Sequence, residues 1–102
     1  MPQDEPPKVI FETPFDERAQ FEAKAKGYLG CAKVMLHDGR TYSVTFYDTV
    51  RLAQDLEYEV TSGRGCVADI GMIVLAEVTF NNINKAVSKL AKEGYFEGLR
   101  AL

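Results

Sequence analysis

VMLHDGRTYSVTFYD, residues 34–48, sets a histidine and an Asp-Gly pair between two runs of alternating apolar residues. The alternation marks two strands, and the residues between them decide the register. A two-residue Asp38-Gly39 turn would place Met35 opposite Tyr42 and Val34 opposite Ser43, turning the apolar sides of the strands to opposite faces. A three-residue loop of His37, Asp38 and a left-handed Gly39 instead places Leu36 opposite Arg40, Val34 opposite Tyr42 and Ala32 opposite Val44. Ala32, Val34, Leu36, Tyr42, Val44 and Phe46 then share one face, which is the expected core side. Burying one such aliphatic side chain is worth roughly 1.5–3 kcal/mol, so the register that gathers them is the one expected to form. The opposite face carries Cys31, Lys33 and Met35 beside Thr41, Ser43 and Thr45, with Tyr47 the one aromatic expected to face outward.

On the N-terminal side, MPQDEPP is charged and proline-rich and reads as a flexible leader over residues 1–7, before a short strand at KVIFE, 8–12. TPFDERAQFEAKAKG then predicts a helix over 14–26: Thr13 as cap, Pro14 at the first helical position, acids in the first turn and Gly27 at the exit. After the hairpin, Asp48 can cap a helix over 49–60 with Val50 or Thr49, Leu52, Ala53, Leu56 and Val60 along one side. The loop TSGRGC leads to CVADI and GMIVLAEV, where Met72 and Val74 alternate with Ile73 and Leu75 and both faces are apolar, the pattern of a strand covered on both sides. TFNNINKAVSKLAKEG gives the last helix, with Thr79 as cap, Val78 and Ile83 placed as a hydrophobic staple, and Gly94 at the exit. The tail YFEGLRAL is apolar enough that Tyr95, Phe96, Leu99 and Leu102 are expected to dock on the body.

The order is strand, helix, strand, strand, helix, strand and an added C-terminal helix, which predicts an α+β fold of the ferredoxin-like two-layer sandwich type, β-α-β-β-α-β. Its last strand would lie at an edge, so the apolar outer residues of that strand need a cover: the C-terminal helix or a second copy of the chain. A length of 102 residues with 46% hydrophobic and 26% charged residues fits one domain over 8–102.

Composition narrows the function classes. The formal charge of −3 gives no long-range pull toward phosphate backbones. Residues 1–22 hold six acids against two bases, and 23–47 hold four bases against Asp38, which is a mixed surface. RTYSVTFY lacks the glycines of an RNA-binding strand and turns Tyr42 and Phe46 toward the core, so no nucleic acid is expected. The longest nearly uncharged apolar run, IGMIVLA, is far shorter than the ~18 residues of a bilayer span, so no membrane partner is expected either. Two cysteines without a C-x-x-C spacing, behind a charged start, place the chain in the cytoplasm with reduced thiols.

Catalytic signals are sparse. His37 falls at a hairpin tip with only Asp38 near it, whereas a general base needs an orienting partner and some enclosure. Cys31 and Cys66, each read as opening a strand with Lys33 or Arg64 two residues away, are expected to be buried or half-buried structural residues. Two cysteines and one histidine do not make a zinc site, and GRG at 63–65 leaves a helix instead of entering one, unlike phosphate loops. Lys85, Lys89 and Lys92 form a basic stripe on the last helix, the ordinary solvated face of a helix end. The expectation is a non-catalytic protein-interaction module with no cofactor and no metal, self-associating or meeting a protein partner through a sheet face or edge around Lys33, Met35, Ser43, Thr45 and Tyr47. Two rivals are a metabolite-sensing regulatory domain with a ligand between protomers and a small cysteine-dependent enzyme.

Overall fold

The hairpin adopts the register that gathers the apolar residues. In the computed structural model, which describes residues 6–102, strands β2 (Tyr28–Met35) and β3 (Thr41–Asp48) pair antiparallel with Ala32 opposite Val44 and Val34 opposite Tyr42. The Leu36 N–H donates to the Arg40 carbonyl at 2.8 Å, the Gly39 N–H donates to the Leu36 carbonyl at 2.9 Å, and Gly39 sits at φ +90°. This is the three-residue loop expected from the sequence, and Ala32, Val34, Tyr42, Val44 and Phe46 are all buried by it.

Around the hairpin the chain forms β1 (Lys8–Ile10), α1 (Glu17–Lys26), α2 (Thr49–Ser62), β4 (Met72–Leu75), α3 (Phe80–Lys92) and a short 3-10 helix (Tyr95–Gly98). Residues 1–5 of the expected leader lie outside the described residues. The α1 helix begins three residues later than expected because Asp16, not Thr13, caps it: its carboxylate accepts from the Ala19 N–H at 2.9 Å. Thr13 and Pro14 belong to the link before the helix, where Phe11 and Phe15 stack at 4.3 Å. The Thr79 cap and the staple are as read, with the Asn82 N–H donating to the Thr79 hydroxyl and Val78 and Ile83 both fully buried.

The fold is α+β, with a four-stranded mixed sheet and three helices, but its strand order departs from the ferredoxin-like one. The strands lie in chain order, β1-β2-β3-β4, with β1 and β2 antiparallel and β3 and β4 parallel. A split βαβ unit needs the strands on either side of α1 to run parallel with another strand between them. Here α1 passes into β2 through Gly27 alone, and β1 pairs directly with β2, Val9 opposite Val34. The expected strand at CVADI is absent as well: residues 66–69 are irregular, and β4 is confined to four residues.

The core lies on one face of the sheet. Ala23 of α1, Ile83 and Val87 of α3, and Phe96 of the tail close over Val34, Val44, Phe46, Ile73 and Leu75. Phe96 reaches Tyr42 at a ring separation of 5.7 Å, and the Leu102 N–H donates to the Thr41 carbonyl at 2.8 Å, so the tail docks as expected, although the Leu102 side chain remains exposed. The added helix therefore covers the same face as α1. On the other face Lys33 and Ser43 stay exposed, as do Val50, Leu56 and Val60 of α2.

Candidate functional site

The uncovered side is built from the outer face of β2, β3 and β4 and from α2. Lys33 and Ser43 stand directly opposite each other and are exposed; Met35 lies opposite Thr41, and Thr45 lies beside Met72 of β4, each half-buried. The structure thus brings four of the five expected contact residues onto one surface. Tyr47 does not belong with them. It shares their face by register but is only 5% exposed, because the loop after α2 folds over it and the Tyr47 hydroxyl donates to Asp69 Oδ2 at 2.8 Å. Tyr28 packs edge-on against it at 5.1 Å. Desolvation, followed by the Asp69 carboxylate, pushes the Tyr47 phenol well above the ordinary tyrosine range.

The α2 helix half-buries only Leu52 of the packing side that the sequence predicts. Asp48 caps it through the Arg51 N–H at 2.7 Å, and it runs two residues beyond 60 to Ser62. Its half-buried side carries Arg51, Asp55 and Glu59 at i, i+4 and i+8, with Leu52 as its one apolar residue. The Arg51 guanidinium donates to Asp55 at 3.0 Å and to the Lys26 carbonyl at 3.3 Å, and lies 5.0 Å from the Tyr28 ring centroid. These contacts set the rotation of the helix. Val50, Leu56 and Val60, read from the sequence as part of the packing side, are 64%, 43% and 60% exposed, and none of the 14 residues of α2 is buried. Ile70, in the turn before β4, and Val74, within it, are exposed as well. Sequence reading missed this patch because an apolar stripe looks the same whether it meets its own sheet or a partner.

The cysteines also differ from expectation. Cys31 lies within β2, at a bulge between Leu29 and Ala32, with φ at +58°, and Cys66 lies in the loop before β4; both are free and exposed. A hydrogen bond to Glu12 and the charge of that carboxylate raise the Cys31 thiol, which is opposite to the shift that activates a nucleophile. His37 remains exposed on the rim of an open groove of about 590 Å³ that also touches Arg40, Lys92 and Glu97. Its neighbour Asp38 is committed elsewhere, accepting from the Arg40 N–H at 3.1 Å and from Arg40 Nε at 2.7 Å, which hold its carboxyl below the usual range.

A second groove, of about 380 Å³, runs between the free edge of β4 and α3, floored by Met72, Val74, Ala86 and Leu90, with Lys89 and Glu93 on its rim. Among the described residues no cluster of three or more His, Cys, Asp or Glu is placed to hold a metal ion, and no helix is long and apolar enough to cross a membrane. Comparison of the chain with known protein families, curated proteins and solved structures finds no match.

Proposed function

We propose that this protein is a non-catalytic interaction module that self-associates, and that helix α2, with the adjoining outer face of the sheet, is its contact surface. The observation that carries the reading is the orientation of α2: its half-buried side is Arg51, Asp55 and Glu59 with Leu52 the one apolar residue, while Val50, Leu56 and Val60 are exposed. A soluble helix ordinarily does the reverse, because burying its apolar stripe is what holds it to a domain. Exposed apolar side chains gathered on one side, with polar Lys33, Ser43 and Thr45 nearby on the sheet, have the make-up of an interface centre with a polar rim. The reading belongs to a cytoplasmic protein, in which free Cys31 and Cys66 stay reduced.

Sedimentation velocity at micromolar concentration tests it. The wild-type chain is expected to sediment as a dimer, and Leu56→Asp or Val60→Asp as a monomer with unchanged far-ultraviolet circular dichroism. A wild-type chain that stays monomeric across the concentration range overturns the proposal.

A further inference from the structure

The groove of about 590 Å³ between the hairpin tip and the end of α3 gathers side chains that are far apart along the chain. His37 and Arg40 line it from the loop between β2 and β3, and Ser88 and Lys92 line it from α3. Lys92 alone would be the ordinary cation of a helix end. What distinguishes this place is that the hairpin tip brings a guanidinium and an imidazole to the same concavity.

The Arg40 guanidinium is steadied from one side only. Its Nε donates to Asp38 Oδ2 at 2.7 Å, and the same carboxylate accepts from the Arg40 N–H, while neither terminal nitrogen makes a hydrogen bond among the described residues. Lys92 and His37 form no ion pair among the described residues either. The lining holds one acid, Glu97, whose Oε2 lies 3.4 Å from where a Cβ on Gly94 would stand and whose charge is felt at Arg40. Two fixed positive charges therefore stand against one negative, in a chain whose net charge is −3. Leu36 and Ala91 add apolar surface beside the donors.

We propose that this groove binds a small organic phosphate, a phosphate monoester on an apolar body, with Arg40, Lys92 and His37 on the phosphate. The volume lies within the range of small-molecule sites, roughly 300–1,000 Å³. A guanidinium fork, a compact ammonium and an imidazole arriving from two elements suit a tetrahedral group with several oxygens; one fork would suffice for a planar carboxylate. No residue of α2 lines the groove, so the site stands apart from the self-association surface.

Titration of the full chain with phenyl phosphate, followed through amide chemical shifts, tests this. Saturable shifts are expected at 36–40 and 88–97, with a dissociation constant of about 1 mM or tighter. Inorganic phosphate, which lacks the apolar body, and benzoate, which lacks the tetrahedral group, are expected to bind more weakly at the same ionic strength. Lys92→Ala and Arg40→Lys are each expected to weaken phenyl phosphate about tenfold, the second because it keeps the charge and loses the fork. Glu97→Gln is expected to tighten it about threefold. Both Lys92 and Glu97 are exposed, and amide shifts away from the groove report that their variants stay folded. Absence of saturable binding, shifts centred elsewhere, benzoate binding as tightly as phenyl phosphate, or an affinity unchanged in Lys92→Ala overturns the proposal.

Discussion

The Tyr47 hydroxyl donates to Asp69 across 22 residues of chain, tying the loop that follows α2 to the middle of the sheet. Tyr47→Phe keeps the ring and its packing on Tyr28 and removes only this bond, so it is expected to cost about 0.5–1.5 kcal/mol in urea unfolding. The bond also makes stability depend on pH. The folded-state phenol is raised above its unfolded value of about 10, so its contribution is fully present below pH ~10 and is lost as pH climbs through the raised value. Tyrosinate absorbance is expected to show one phenol that resists ionisation past the ordinary range, and Tyr47→Phe is expected to remove that component.

At the β2 bulge, Cys31 takes a positive φ that L-residues adopt at a cost of about 1–2 kcal/mol. Cys31→Gly relieves that strain against a smaller loss from the freer unfolded chain, leaving an expected gain of about 0.5–1 kcal/mol. Cys31→Ala keeps the Cβ and is expected to bring no gain. Comparing urea midpoints of the two variants checks this.

The same residue supplies a chemical test. Because Glu12 disfavours the Cys31 thiolate, alkylation near neutral pH is expected to be slower than for an unperturbed thiol and to speed up in Glu12→Gln. Peptide mapping after timed iodoacetamide treatment separates Cys31 from Cys66. Rapid alkylation of Cys31 at pH 6 would revive a thiol-dependent chemistry for this chain.

Glycine substitutions are expected to divide by surroundings. A Cβ on Gly71 would run into the Ser43 carbonyl oxygen, a backbone atom that cannot swing aside, in addition to a φ of +73°. Gly71→Ala should therefore cost about 3 kcal/mol or more. Gly63 has a φ of +97° but open space around it, and Gly63→Ala should cost only about 1 kcal/mol. Equal effects in thermal unfolding would contradict the close passage of the Gly71 segment over β3.

Burial sets a further contrast. Ile83→Ala opens a cavity in the core and is expected to cost about 2–5 kcal/mol. Leu56→Ala, at a 43% exposed position, is expected to change the stability of the dilute chain by less than about 1 kcal/mol. Under the self-association proposal its effect falls on the dimerisation constant instead.

What could be read along the chain was whatever local geometry decides. Loop length and the period-2 pattern determined the hairpin register, since one alternative would have put Tyr42 and Val34 on opposite faces. Short polar residues and glycines marked the helix ends at Asp48, Thr79, Gly27 and Gly94, because capping is settled within a few residues. The start of α1 was misread at Thr13: Asp16 caps the helix, and the link before it holds the Phe11–Phe15 stack. Strand order and the rotation of α2 were decided only in three dimensions. β1 pairs with β2 across a helix, and α2 turns on a contact between Arg51, the Lys26 carbonyl and the Tyr28 ring, which are far apart along the chain. An amphipathic stripe specifies that a helix has an apolar side; which surface meets that side depends on where distant residues place the helix.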